Sequence, residues 1–492
     1  MTTTPPTATT LRTTPPRERT LHLNAFLMTT GHHEASWRLP DSDPEAGTDI
    51  DHYINLAQTA ERGGFDSIFF ADSPSLRAEV GRRPAGNLEP LTLLSALSVA
   101  TKRIGLIATA SASYNSPYNL ARRFSSIDHI SRGRVGWNVV TTAGSDAARN
   151  FGLDERPAHQ TRYERAEEFL EVVQGLWQSW DADAVIADKA TGVWGDDEKV
   201  NAIDHEGRFF KVAGPLNIPR SPQVYPLIVQ AGSSESGKEL AAKFAEAVFT
   251  AHQWLDEAAA FAADVKDRAR RYGRNPEHVK ILPGIVPVIG ATEAEARAKD
   301  DELDRLIRPE FALAQLAQTL RVSPDALALD RQLPADLPDE DEIEGAKSRY
   351  TLIVDLARRE GLTARELIGR LGGGRGHRTV AGTPEQIADA IEEWFDAGAA
   401  DGFNIMPPAL PSGLDDFVDT VVPILTERGL FRHDYETTTL RGHYGLPVPG
   451  PRNSGESSSG QSTPGEPTPG RPTPGQPDRD DEDTATTISE VA

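Results

Sequence analysis

Short apolar runs alternate with longer amphipathic stretches along most of this chain. Eight runs stand out: LHLNAFL from Leu21, SIFFAD from Ser67, IGLIATAS from Ile104, RVGWNVVTT from Arg134, PLIVQAG from Pro226, AVFTAHQ from Ala247, ILPGIVPVIG from Ile281 and DGFNIMPP from Asp401. Most are continuous and rich in Ile, Val and Phe, as strands buried on both faces are. Helical patterns lie between them, such as DIDHYINLAQTAERGGF, which halts at Gly63-Gly64, and YERAEEFLEVVQGLWQSW. Eight β-α units in one domain predict an α/β fold, a (β/α)8 TIM barrel rather than an open sheet. Chemistry in such a barrel sits where strands end. That directs attention to Asp72, Thr109, Asn138 to Thr142, and Gly232 to Ser234.

The pattern also bounds the domain. Residues 1–19 (MTTTPPTATTLRTTPPRER) read as a disordered leader. Residues 20–447 form the barrel domain. Residues 448–492, with STPGEP, PTPGRP and PTPGQP, read as a disordered, solubilising tail with no apolar surface to bury. Two connections exceed ordinary loops: Trp180 to Pro226, and Thr292 to Thr379. Both are expected to cover the C-terminal face.

Composition narrows the function. There is no apolar run of roughly 18 residues and no signal-peptide core, so neither a membrane span nor export is expected. With no cysteine, disulfides and thiol chemistry are out, and a cytoplasmic location fits. A net charge of −23 disfavours nucleic acid. An anionic cofactor must then be held locally, by a helix N-terminus and hydroxyls.

QAGSSESGKELAAKF offers such a place: Ser233 and Ser234 open a helix just after a strand. Its plainer reading is a serine N-cap without a ligand. Gly232 to Lys238 also spells GxxxxGK, but Glu239 stands where a P-loop needs Ser or Thr. His159 and Tyr163, four apart, share a helix face, a pair that by itself more often means packing. Asp72, Thr109, Ser111 and Asn138 end strands and can meet a flat polar ring. The run His32-His33-Glu34 lacks metal-ligand spacing, and with Trp37 it suits a lid; no metal site is expected. GGGRG from Gly372 lacks dinucleotide spacing and reads as a flexible hinge or loop. No GxSxG elbow occurs.

Taken in order, these motifs resemble the bacterial-luciferase-like superfamily. The resemblance is closest to its nitrilotriacetate monooxygenase / dibenzothiophene sulfone monooxygenase / pristinamycin synthase A branch. The stretches that carry it include ATASASYNSPYNLARRFSSIDHISRGRVGWNVVTT, HQTRYERAEEFLEVV, YPLIVQAGSSESGKELAAKFAEAVF and LFRHDYETTTLRGHYGL. The resemblance implies the oxygenase half of a two-component system. Reduced FMN (FMNH2), delivered by a separate NAD(P)H:FMN flavin reductase, and O2 would oxygenate a small organic substrate through a flavin C4a-(hydro)peroxide. C–N or C–S cleavage is a possible outcome, and a homo-oligomer is expected. Cofactor contacts fall by resemblance on Asp72, Thr109, Asn138, His159, Tyr163, Ser233 and Ser234. The general acid or base is unassigned; His32, His33, His205 and Asn138 are candidates on chemistry alone. The competing readings are an F420-dependent reductase of the same superfamily and a non-catalytic flavin- or ligand-binding barrel.

Overall fold

The computed structural model describes residues 19–450, apart from 77–79, 82–83, 143, 340–346 and 375. The leader as far as residue 18 and the tail from residue 451 lie outside the described residues.

Eight parallel strands close on themselves: β1 (His22–Phe26), β2 (Ser67–Phe70), β3 (Gly105–Ser111), β4 (Val135–Val140), β5 (Leu227–Gln230), β6 (Ala247–Thr250), β7 (Lys280–Ile289) and β8 (Gly402–Ile405). Each pairs with the next, and β8 returns to β1 with Asn404 opposite Asn24. All eight runs seen in the sequence are barrel strands. The helices that wrap them include α1 (Ile50–Arg62), α2 (Pro90–Ala100), α3 (Pro117–Ser131), α4 (His159–Trp177), α5 (Glu235–Phe244), α6 (Leu255–Arg271) and α7 (Pro384–Asp396). Local chemistry sets their ends. Asp49 caps α1 by accepting from the Asp51 amide, and Gly64, at φ +69°, lets the chain leave.

Alternation along the strands builds two cores. Outward residues such as Leu23, Ile68, Leu106, Trp137 and Phe403 pack under the helices. Inward residues Phe26, Phe69, Ile107, Leu227, Val229, Leu282, Val286 and Met406 fill the barrel.

The barrel floor is supplied by the end of the domain. Leu440, Tyr444 and Leu446 join the inner cluster. The Tyr444 ring stacks on His22 at 4.7 Å, and its hydroxyl donates to Asn24 at 2.7 Å. Arg432 pairs with fully buried Asp66, and Arg441 with Glu246. Gly105 and Gly136 open β3 and β4 because Leu440 needs the room: a Cβ at Gly105 would lie 2.3 Å from its side chain.

The two insertions behave differently. The second carries helices Glu293–Leu306, Pro309–Leu320, Lys347–Glu360 and Ala364–Gly374 with a small apolar core of their own. It returns through strand Arg378–Gly382, which pairs in parallel with the outer half of β7 and so anchors the insertion at the C-terminal mouth. The first runs from the end of α4 to the start of β5, at the opposite end of the barrel. Its hairpin His205–Glu206/Lys211–Val212 climbs the side of α4, where Glu168 accepts from the Phe209 and Phe210 amides. The expectation that both insertions cover the mouth therefore holds for the second only. An αβ connection starts from the wrong end of the barrel. The glycines from 372 to 374 also differ from the expected loop: they are the last turn of a helix. Gly372 packs so near the loop after β1 that a Cβ would sit 3.2 Å from His33 Nε2.

Candidate active site at the barrel mouth

Inward alternation puts Thr109 and Ser111 of β3 beside Asn138 of β4, with Thr109 and Asn138 in register. Asn138 is buried. Its amide nitrogen donates to Thr109 Oγ1 at 2.9 Å, while its Oδ1 is buried with no partner. Thr142 turns back at φ +39° and donates to Ser111 at 2.7 Å. Arg162, reaching from α4, holds this turn through the Thr141 carbonyl at 3.1 Å. An orphaned buried carbonyl costs on the order of 1–3 kcal/mol, so a barrel keeps one where a ligand completes it.

The facing wall is aromatic. Phe26, Phe69 and Phe249 meet edge to face at 4.7–5.8 Å, and His377 stacks on Phe249 at 5.1 Å. The mouth is thus a cup, polar along β3 and β4 and apolar along β1, β2 and β6.

A third group lies at the start of α5. Ser234 is the N-cap, accepting from the Gly237 amide at 3.2 Å, while the Ser233 hydroxyl makes no hydrogen bond among the described residues. A Cβ on Gly232 would lie 3.2 Å from the Tyr163 hydroxyl, so the first turn of α4 is brought against this turn. The His159 ring lies 4.7 Å from that of Tyr163. Burial, then Arg162 and Arg156, push the His159 pKa down. An anion placed here would meet a helix N-terminus, hydroxyls and a positive neighbourhood. Lys238 plays no P-loop part; it pairs with Asp264 at 2.9 Å.

Asp72 lies two residues beyond β2. The residue reaches solvent, but its carboxyl is crowded by neighbouring atoms and then by Glu89, which raises its pKa. The expected histidines are otherwise engaged. His32 Nε2 bonds the Phe26 carbonyl at 2.8 Å. His33 accepts from the Ala35 amide and bonds Asp304 at 3.2 Å, tying the second insertion to the loop after β1. His205 pairs with Glu168 at 3.1 Å on the flank of α4 and is not brought to the mouth. Two side chains in the mouth loops went unnoticed in the sequence. Tyr114 has a buried hydroxyl without a partner and stacks on Phe151. His252, just after β6, has a buried Nε2 without a partner, and burial holds its pKa at about 4. Each lies just past a strand end, the one signal that could have flagged it.

Fold and mouth together define the class: a (β/α)8 barrel whose mouth is half polar and half aromatic, with a hydroxyl-lined helix start beside it. The family model described as luciferase-like monooxygenase matches residues 29–401. N-acetyl-S-(2-succino)cysteine monooxygenase of Bacillus subtilis (strain 168) is 48% identical over 434 residues, covering 88% of this chain and 98% of that protein. Nitrilotriacetate monooxygenase component A of Aminobacter aminovorans is 48% identical over 442 residues, covering 87% and 97%. Among solved structures, a riboflavin lyase with modified FMN and substrate riboflavin superposes with a TM-score of 0.77 at 31% identity, covering 87% of this chain and 97% of that one. The chain belongs to the luciferase-like monooxygenase family. It is a flavin-dependent monooxygenase that works with reduced flavin and O2, not a passive ligand-binding barrel.

Proposed function

We propose that the chain is the oxygenase component of a two-component system, using FMNH2 supplied by a separate NAD(P)H:FMN reductase. The observation that carries this is the pairing of an orphaned ring-facing amide, Asn138, with a hydroxyl-lined helix start at Ser233. The phosphate end falls to Ser233, Ser234, Tyr163 and His159; the ring end to Thr109, Asn138 and Asp72. A modified FMN in a related structure and the designation "component A" of a relative support the same reading.

When bound, reduced FMN supplies the electrons that activate O2. The chain's own residues position and enclose. Thr109 and Asn138 fix the polar edge of the ring. The Phe26, Phe69 and Phe249 wall and the second insertion keep water out. His32 and His33 hold the lid loop rather than a transferring proton.

For the substrate, both relatives act by name on small molecules that carry three carboxylates around an amine or thioether. A polycarboxylate with a carbon next to N or S is the class proposed. The exposed apolar hairpin at Val185, Ile186, Val193 and Trp194 supports a homo-oligomer. Among the described residues no helix is long and apolar enough to cross a membrane, which agrees with work in the cytoplasm beside the reductase.

The test is anaerobic titration with FMNH2 and with reduced F420, followed by O2 and nitrilotriacetate. Tight FMNH2 binding is expected, with at most one product per bound FMNH2 when O2 is admitted, and with sustained turnover from NADH only when a flavin reductase is added. Preference for F420, or sustained NADH oxidation by the chain alone, sinks the proposal.

A further inference from the structure

The segment that floors the barrel also helps enclose a second cavity, on the face opposite the mouth. It measures about 330 Å³ and lies between the ends of α4 and α5, the start of β6 and the turn before β7. Its polar walls include Tyr225, Lys243, Glu246, Arg274, His278 and Arg441.

Donors outnumber acceptors there. Glu246 is the one carboxylate of the lining, and it is already engaged: by Arg441 Nη2 at 2.9 Å and by the Ile228 amide at 3.1 Å. Lys243 is drawn toward Glu167 and Glu171 outside the cavity. Arg274 gives its guanidinium to the Ala242 and Ala245 carbonyls at 2.8 and 2.6 Å. It has no carboxylate partner among the described residues. Arg441 is only 2% exposed, yet its Nε–H finds no acceptor. Tyr225 lies under that guanidinium at 4.8 Å, and its hydroxyl makes no hydrogen bond among the described residues. Burial lowers the Arg274 pKa even with Glu246 near, as for a cation short of counter-charge. Burial also pushes the Tyr225 phenol up to about 12, which keeps it a donor.

Nothing in the monooxygenase reaction uses these groups. A half-buried guanidinium without a carboxylate partner and a buried N–H without an acceptor would both gain from an oxyanion, and one occupant serves both. We infer that this cavity binds a small oxyanion, phosphate or carboxylate, held by Arg274, the Arg441 Nε–H and the Tyr225 hydroxyl.

The full chain is first loaded with FMN so that the mouth is filled. Inorganic phosphate, and separately succinate, is then titrated in by calorimetry. Saturable binding of at least one is expected, and whichever binds names the group. Tyr225→Phe should weaken it about tenfold by loss of one charge-assisted bond. Arg274→Met should abolish it. Because Arg274 also caps α5, a crystal grown with selenate gives a second reading: a peak between Arg274 and Arg441 is expected. No saturable binding of either anion, binding that both the Tyr225 and Arg274 variants retain, or phosphate binding without a selenate peak there overturns the inference.

Discussion

Replacing Ser233 with Ala and Tyr163 with Phe together tests the anion end of the mouth. Tyr163 comes from α4 and Ser233 from the turn before α5, yet the Tyr163 hydroxyl lies against Gly232, one residue before Ser233. Neither hydroxyl holds the fold: Ser233 bonds nothing among the described residues, and the cap is the work of Ser234. The variant should therefore fold normally. Each hydroxyl donating to a phosphate contributes roughly 1.5–3 kcal/mol. The two share one ligand group, so their losses do not add fully, and water recovers part. A net loss of about 2–4 kcal/mol is expected, weakening FMN roughly 30- to 700-fold. Riboflavin has the same ring but no phosphate, so its affinity should stay within about threefold of the parent. Calorimetry with both ligands reads the two numbers directly. If FMN binding is unchanged, or riboflavin falls as far as FMN, the phosphate does not sit at the start of α5.

Three further outcomes follow from the geometry. Asn138→Leu removes an amide whose oxygen is already orphaned, so thermal unfolding should shift little or upward, while FMN and riboflavin affinity both fall about tenfold or more; a large drop in stability with flavin binding intact would contradict this. His252, held at about 4 against 6.5 unfolded, contributes fully above pH 6.5 and loses its contribution as pH falls toward 4, on the order of 2–3 kcal/mol; urea midpoints should fall over that window in the parent and fall less in His252→Leu, and equal slopes would refute the assignment. Burial alone would raise Asp66, but Arg432 and His22 over-compensate and hold it at about 2. Arg432→Met should then cost about 3–5 kcal/mol at pH 7 in urea unfolding, because it strands a buried carboxylate; a loss under about 1 kcal/mol would show that the carboxylate does not depend on this pair.

The eight strands were legible because each is a continuous apolar run, and burial on both faces leaves few other readings. The polar half of the mouth was legible for a related reason: hydroxyl and amide residues such as Thr109 and Asn138 are conspicuous at the ends of such runs. The grouping of Tyr163 with Ser233 came only through the family resemblance, since nothing local to either tells that the starts of α4 and α5 lie together. His33 stood as a candidate both for proton transfer and for a lid; its bond to Asp304, which spans 271 residues, is a contact that nothing local to it announces. The first insertion was misjudged by length alone, when the end of the barrel it leaves from decides what it covers. The stretch LFRHDYETTTLRGHYGL carried the resemblance but no role, because nothing local tells that its Arg and Tyr meet partners on β1 and just before β2. Glycines at the starts of β3 and β4 were the only local trace of it.

That floor has a consequence for how the molecule is made. Leu430 accepts from the Leu21 amide, Arg432 reaches Asp66 across 366 residues, and Tyr444 reaches Asn24 across 420. On a ribosome, β1 emerges first and must wait for nearly the whole domain before its inner face is covered. Contacts of such separation form late and slowly. A nascent or prematurely ended chain lacks the floor that completes the inner core, so its parts should stay labile and open to degradation. A barrel whose inner core is complete has therefore been translated at least as far as Leu446.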